Sequence, residues 1–253
     1  MGIDLELFER LAELSCRFRP AGRTLMLGRQ KFRYKPRKAW RFEKILAAHR
    51  PELTLEPLLQ EDGYAEAAMR GLGLGEIETM DFSDYEGAGI IHDLNDPVPE
   101  ALHGQFDFIF DGGTLEHVFN VPQALENVFN MLTVGGRFVS ANGFNDWTFH
   151  GIYQFSPELV WTFWKRNTGC KVLDCRGLQK RRNGGKLQVP FEDPAEIGHR
   201  LRGDIPPGRM YLYYEVERTP DAALRNKVLQ SDYETRWHGY GKAGETRLDM
   251  ARS

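Results

Sequence analysis

No continuous apolar run in this sequence approaches the ~20 residues that a helix needs to cross a bilayer. The first residues, MGIDLELFERLAEL, interleave charges with hydrophobes where a secretory signal would be uninterruptedly apolar, so the expected location is cytoplasmic. Cysteine is scarce. Cys16, Cys170 and Cys175 are an odd set without CxxC spacing, which argues against a disulfide framework and a cysteine zinc site. They are read as reduced, mostly buried small hydrophobes, and no metal ligand is assigned. Charge of one sign is lacking too: 33 basic against 36 acidic side chains leave a formal net charge of -3. That balance offers no global attraction to nucleic acid or an anionic membrane, so any such contact would have to be local. Repeats and low-complexity tracts are also absent.

What is present is a chain of 253 residues, enough for one large α/β domain with a real core. The expected organisation is an N-terminal helix over 1–22, a main domain over 23–220 and a polar tail over 221–253. Two departures from a minimal domain stand out, a basic-aromatic insertion within 29–60 and a surface excursion over 179–208. Ile3–Phe18 carries its leucines and Phe8 at amphipathic helical spacing, and Pro20-Ala21-Gly22 ends it. Short apolar runs at Arg23–Gly28, Glu76–Phe82, Gly89–Leu94, Phe106–Phe110, Arg137–Ala141, Lys171–Cys175 and Met210–Val216 read as strands. Helical patterns over Asp62–Leu72, Val121–Leu132 and Ser156–Asn167 separate them, the last opened by a Ser156 cap and Pro157. Ala47–Gln60, broken by Pro51 and Pro57, reads as irregular or built of short helical pieces. The pattern predicts a doubly wound, mainly parallel, seven-stranded sheet with helices on both faces.

In such a sheet, ligands lie beyond the carboxyl ends of the strands, near the point where strand order reverses. Gly28, Asp81, Asp93 and Asp111 each stand at or just after a predicted strand end. Asp111-Gly112-Gly113-Thr114-Leu115-Glu116-His117 combines an acid, two glycines permitting close backbone approach and an imidazole. A carboxylate after the second strand suits the vicinal hydroxyls of a ribose, because two acceptor oxygens match a diol. The segment Arg29–Lys44, RQKFRYKPRKAWRFEK, interleaves eight cations with Phe32, Tyr34, Trp40 and Phe42. It fits a phosphate-gripping and base-stacking surface, a solvated helix face with its aromatics turned inward, or a pocket wall for an anionic substrate.

From about Leu25 to Val216 the chain resembles the class I S-adenosylmethionine-dependent methyltransferases, in the broad group that includes the small-molecule enzymes. The likeness is carried by Asp81-Phe82-Ser83, Asp93-Leu94 with Pro97-Val98-Pro99, Phe106-Asp107-Phe108-Ile109, Leu115-Glu116-His117-Val118, and Leu125–Leu132 leading to Gly135-Gly136-Arg137-Phe138. It implies S-adenosyl-L-methionine as cofactor, with Asp81 and Phe82 at the ribose, and Asp93 at the adenine amino group with Leu94 beside the ring. Asp111, Gly112 and Gly113 would line the methionine side. The family's first strand runs into a GxGxG turn. This chain has Leu27-Gly28-Arg29-Gln30, in which Gly28 keeps the close approach and Arg29 or Gln30 is the candidate for the cofactor carboxylate.

The resemblance implies methyl transfer to a small or medium-sized acceptor through an O- or N-nucleophile, anionic if the basic segment lines the site. His150, after the fifth strand, is the favoured base, with His117 as a pocket residue and weaker base candidate, and Tyr153 and Gln154 lie near the acceptor. Two other classes stay open. One is a methyltransferase-like binding protein without turnover, motivated by the missing GxGxG. The other is an RNA-binding or RNA-modifying protein that uses 29–44.

Overall fold

Alternation along the strands divides the core between the two faces of one sheet. In β2 (Arg23–Leu27) Leu25 and Leu27 face one side and Met26 the other. In β6 (Phe106–Asp111) Ile109 opposes Phe108 and Phe110. The aromatic strand read at the end of the domain behaves alike, with Leu212 and Tyr214 on the first face and Tyr211 and Tyr213 on the second. The structure is a computed structural model and describes residues 2–179, 188–197, 205–225, 228–230 and 233.

In chain order the elements are β1 (Gly2–Ile3), α1 (Leu5–Arg17), β2, β3 (Lys31–Phe32), α2 (Ala39–His49), α3 (Glu66–Gly71), β4 (Ile77–Asp81), β5 (Ile90–Ile91) and β6. They continue with α4 (Val121–Met131), β7 (Leu132–Asn145), α5 (Pro157–Leu159) running into a π-helix at Val160–Asn167, β8 (Lys171–Gln179), β9 (Gln188–Pro190), α6 (Pro194–Ile197) and β10 (Met210–Glu217). The main sheet has the order β5-β4-β2-β6-β7-β10-β8-β9. Its first five strands are mutually parallel, whereas β10 runs antiparallel to both β7 and β8. This is the doubly wound, Rossmann-like α/β sheet that the sequence predicts, covered on both faces. The strand count differs from the expected seven. The eighth strand, β9, pairs antiparallel with β8 out of the stretch read as surface excursion. The remainder of that excursion, at 180–187 and 198–204, and most of the tail lie outside the described residues.

Asp4 caps α1 by accepting from the Leu7 amide at 3.2 Å, and α1 buries Leu7, Phe8, Leu11 and Leu14 on the second sheet face. Beside it packs α2, which runs on to His49 where the sequence suggested irregular chain or short helical pieces from Ala47; Pro51 follows, and a residue before proline disfavours helix. Phe32, Tyr34 and Phe42 of the basic-aromatic segment form a ring cluster with Phe8, at centroid distances of 5.2–6.4 Å. Trp40 alone among its aromatics is well exposed. The inward-facing reading of this segment therefore describes its rings, and its cations line the outer side.

Candidate active site

Connectivity places the switch point. From β2 the chain passes to β4 and then β5 on one side, and returns to β6 and β7 on the other, so order reverses between β2 and β6. Register puts Leu27 beside Met80 and beside Asp111, and the Gly28 amide donates to the Met80 carbonyl at 2.7 Å. Gly28, Asp81 and Asp111 are thus neighbours at one edge of the sheet.

The crevice between them holds a side chain of the protein itself. Gln30 is only 4% exposed, and its Nε2 donates to the Leu27 carbonyl at 3.0 Å and to Thr114 Oγ1 at 3.2 Å. A Cβ on Gly28 would meet Thr114 Oγ1 at 2.4 Å and Gln30 Nε2 at 3.1 Å; one on Gly112 would meet Gln30 Cδ at 3.2 Å. Gly28, moreover, has φ of +61°, so glycine is needed there for conformation as well as space. Arg29 points away. Its guanidinium pairs with Glu66 at 2.5 Å and Asp62 at 2.7 Å, and lies 4.0 Å from the Tyr64 ring centroid. A cavity of about 470 Å³ opens beside β4, lined in part by Arg29, Glu66, Arg70 and Thr79. It flanks the strand, away from the crevice at the strand ends.

Asp81 is half-buried; its Oδ1 accepts from the Phe82 amide at 2.7 Å, and the Phe82 ring is exposed. Asp93 accepts from both the backbone and side-chain nitrogens of Asn95, at 2.9 and 2.7 Å, and these bonds hold its carboxyl below the usual range. Leu94 is packed in the core, 6% exposed, and its carbonyl accepts from Asn127 Nδ2. Buried on α4, Asn127 also bonds the Asp96 carbonyl and the Val98 amide, so one side chain fixes the whole turn after Asp93. No motif in the sequence singled it out.

Asp111 is fully buried. Its Oδ1 accepts from the amides of Gly113 (3.1 Å) and Thr114 (2.7 Å), and its Oδ2 from Ser140 Oγ (2.9 Å) and Asn142 Nδ2 (2.8 Å). Asn142 also donates to Glu116 Oε2 at 2.7 Å. Glu116 is likewise fully buried, and burial, together with the charge of Asp111, pushes its pKa up to about 8. Ser140 lies within the expected strand, and Asn142 reaches this network because β7 extends to Asn145, well past the Ala141 expected from the sequence.

The loop after β7 folds back onto the turn at Leu115–His117. Ile152 and Tyr153 donate their amides to the Glu116 carbonyl at 2.8 and 3.1 Å. Gly151, at φ of +74°, passes so near that a Cβ would stand 2.8 Å from Glu116 Cγ. Two non-glycine residues adopt positive φ here, Asp146 at 55° and Phe149 at 61°, and Phe149 is fully exposed. Tyr153 donates its hydroxyl to the Phe119 carbonyl, and Gln154 accepts from the Trp147 amide. The loop brings His150 to His117 with ring centroids 5.2 Å apart, and His150 Nε2 to 3.8 Å from Glu116 Oε1. Burial lowers the pKa of both histidines, and the facing His117 lowers that of His150 further. Glu116, which the sequence reading left without a role, thus sits between the two histidines it singled out.

No protein-family model and no curated protein matches the chain. Solved structures resemble it at low identity. A 1,6-didemethyltoxoflavin-N1-methyltransferase from Burkholderia thailandensis is 14% identical, with 85% of this chain and 79% of that one covered and a TM-score of 0.44. A possible histamine N-methyltransferase from Thermotoga maritima is 16% identical, covering 85% and 89%, with a TM-score of 0.38. A 16S rRNA (adenine(1408)-N(1))-methyltransferase from Catenulisporales acidiphilia is 13% identical, covering 87% and 95%, with a TM-score of 0.37. Among the described residues, no helix is long and apolar enough to cross a membrane.

Proposed function

We propose that this chain transfers a methyl group from S-adenosyl-L-methionine to a small or medium-sized acceptor through an oxygen or nitrogen nucleophile. The observation that supports it most is the convergence of Gly28, Asp81 and Asp111 at the topological switch point, where open α/β sheets bind their ligands. In this reading Asp81 accepts from the ribose hydroxyls with Phe82 beside it, and Asp93 and Leu94 receive the adenine. Gly112 and Gly113 pass the methionine portion once Gln30 is displaced, and Arg29, engaged by two acids, is held away from its carboxylate. The cofactor would supply an electrophilic methyl group on a sulfonium, so that attack by the acceptor's lone pair would form the new bond as the sulfur–carbon bond breaks and its electron pair stays on a neutral thioether. Alignment of nucleophile, carbon and sulfur supplies much of the rate. The acceptor's proton passes to an imidazole, His150 or His117, both held neutral by burial and so able to accept it.

Calorimetry with S-adenosylhomocysteine tests the cofactor assignment. Saturable binding is expected, and Asp81→Ala should weaken it; normal affinity in that variant would remove Asp81 from the site. The buried, hydrogen-bonded position of Gln30 favours a second reading, a binding protein whose cofactor crevice is closed. No heat at millimolar ligand would support that alternative.

A further inference from the structure

We infer that Glu116, His117 and His150 form a binding site for one divalent cation of the borderline-soft kind, Zn²⁺ or Fe²⁺. Each residue offers one ligand atom, and these atoms all lie within 4.8 Å of one another. Ligands at ~2.1 Å from one ion can stand at most about 4.2 Å apart, so the 3.8 Å between His150 Nε2 and Glu116 Oε1 already fits. A closure of roughly half an ångström brings in His117, which stands at the exposed rim where its rotamer has room. Two imidazoles and one carboxylate are the donor set that selects such metals over Mg²⁺ or Ca²⁺, which prefer all-oxygen cages.

A second observation points into the same space. Glu116 is fully buried, one carboxylate oxygen is satisfied by Asn142, and the other, Oε1, has no hydrogen-bond partner among the described residues. The facing His150 Nε2 is buried and equally without one, and 3.8 Å is too long for the two to bond each other. A buried carboxylate oxygen left unsatisfied is costly, and most native structures avoid it unless something else occupies the position. The surrounding framework is built as a support for a metal ligand. Asn142 orients Glu116 and ties it to Asp111, while Gly151 and the amides of Ile152 and Tyr153 clamp its backbone against the His150 loop. The described side chains bonded to the two carboxyl groups, Ser140 and Asn142, are neutral, so no cationic side chain among them competes with an ion for Glu116. Three protein ligands leave positions open for water or an acceptor atom. Only the use made of those open positions rests on the methyl-transfer reading; the ion site does not.

The test uses the full chain stripped with EDTA and titrated with Co²⁺, followed by calorimetry and by visible absorption, which reports imidazole coordination. One equivalent per chain is expected to bind with a ligand-field band. Glu116→Gln, which keeps shape and burial, and His150→Ala should each lower affinity on the order of tenfold or more and alter the band. Thermal unfolding of the metal-free variants checks that they are folded. Absence of stoichiometric binding, or binding undiminished in both variants, would overturn the site. Titrating the same metal-free protein with S-adenosylhomocysteine separates this outcome from a failure of the cofactor assignment.

Discussion

The crevice at Gly28 and the corner at Glu116 stand at the ends of adjacent strands, yet they differ in how their polar groups are satisfied. In the crevice, Gln30 is buried and bonded to both Leu27 and Thr114, so the space is filled and hydrogen-bonded. At the corner, Glu116 Oε1 and His150 Nε2 are buried and unbonded, so the space is shaped and polar but unsatisfied. Fold position alone makes both candidate ligand sites. Satisfaction separates a site that must exchange internal bonds for a ligand from one that gains bonds when a ligand arrives.

The largest effect should come from breaking what joins the two regions. Asp111→Ala removes the acceptor of four hydrogen bonds, three of them buried, and leaves their donors stranded, which should destabilise the fold by about 3 kcal/mol or more in urea unfolding. A loss below 1 kcal/mol would mean that the network is not the hinge between crevice and corner. Asp81→Ala leaves stability nearly unchanged but should lower S-adenosylhomocysteine affinity about 10- to 100-fold, the weight of a charged hydrogen bond. Gln30→Gly empties the crevice in advance, and tighter cofactor binding by roughly three- to tenfold is expected, since the ligand no longer displaces bonds worth about 1 kcal/mol. Weaker binding would instead make Gln30 a direct ligand.

The corner carries a pH signature in metal-free protein. The Glu116 pKa is raised in the folded state to about 8, above its unfolded value, so its contribution is full below the unfolded value and is lost as pH rises through about 8. Denaturation in EDTA should therefore show wild type losing stability over that window and Glu116→Gln losing less; parallel curves would place Glu116 in a wetter setting. Smallest of all should be the outer face of the basic segment. Lys35→Glu with Arg37→Glu, both exposed, should shift stability by no more than about 0.5 kcal/mol and leave cofactor affinity unchanged. A steep loss of affinity would instead join that segment to the cofactor site.

Much of the sheet was legible because its strands are short apolar runs of opposite-facing side chains, and the Ser156 cap and the Asp111 turn were legible because they are local. The Ser156 hydroxyl does accept from the Glu158 amide at 3.3 Å. The widening of the following helix to a π-helix over Val160–Asn167 has no such local sign. The corner was half visible. Glu116 and His117 are adjacent in the chain, but His150 reaches them through a returning loop held by backbone bonds to the Glu116 carbonyl, and side-chain periodicity carries no record of those. Gln30 was placed beside the cofactor carboxylate by position alone. Its burial depends on Thr114, in the turn after β6, a strand distant in sequence from β2 but adjacent to it in the sheet.

The most direct measurement is calorimetric titration of S-adenosylhomocysteine into wild type, Asp81→Ala and Gln30→Gly side by side. Saturable one-to-one binding to wild type, weakened by the first substitution and strengthened by the second, is the expected result. No binding to wild type or to Gln30→Gly at millimolar ligand would contradict a cofactor site at the switch point.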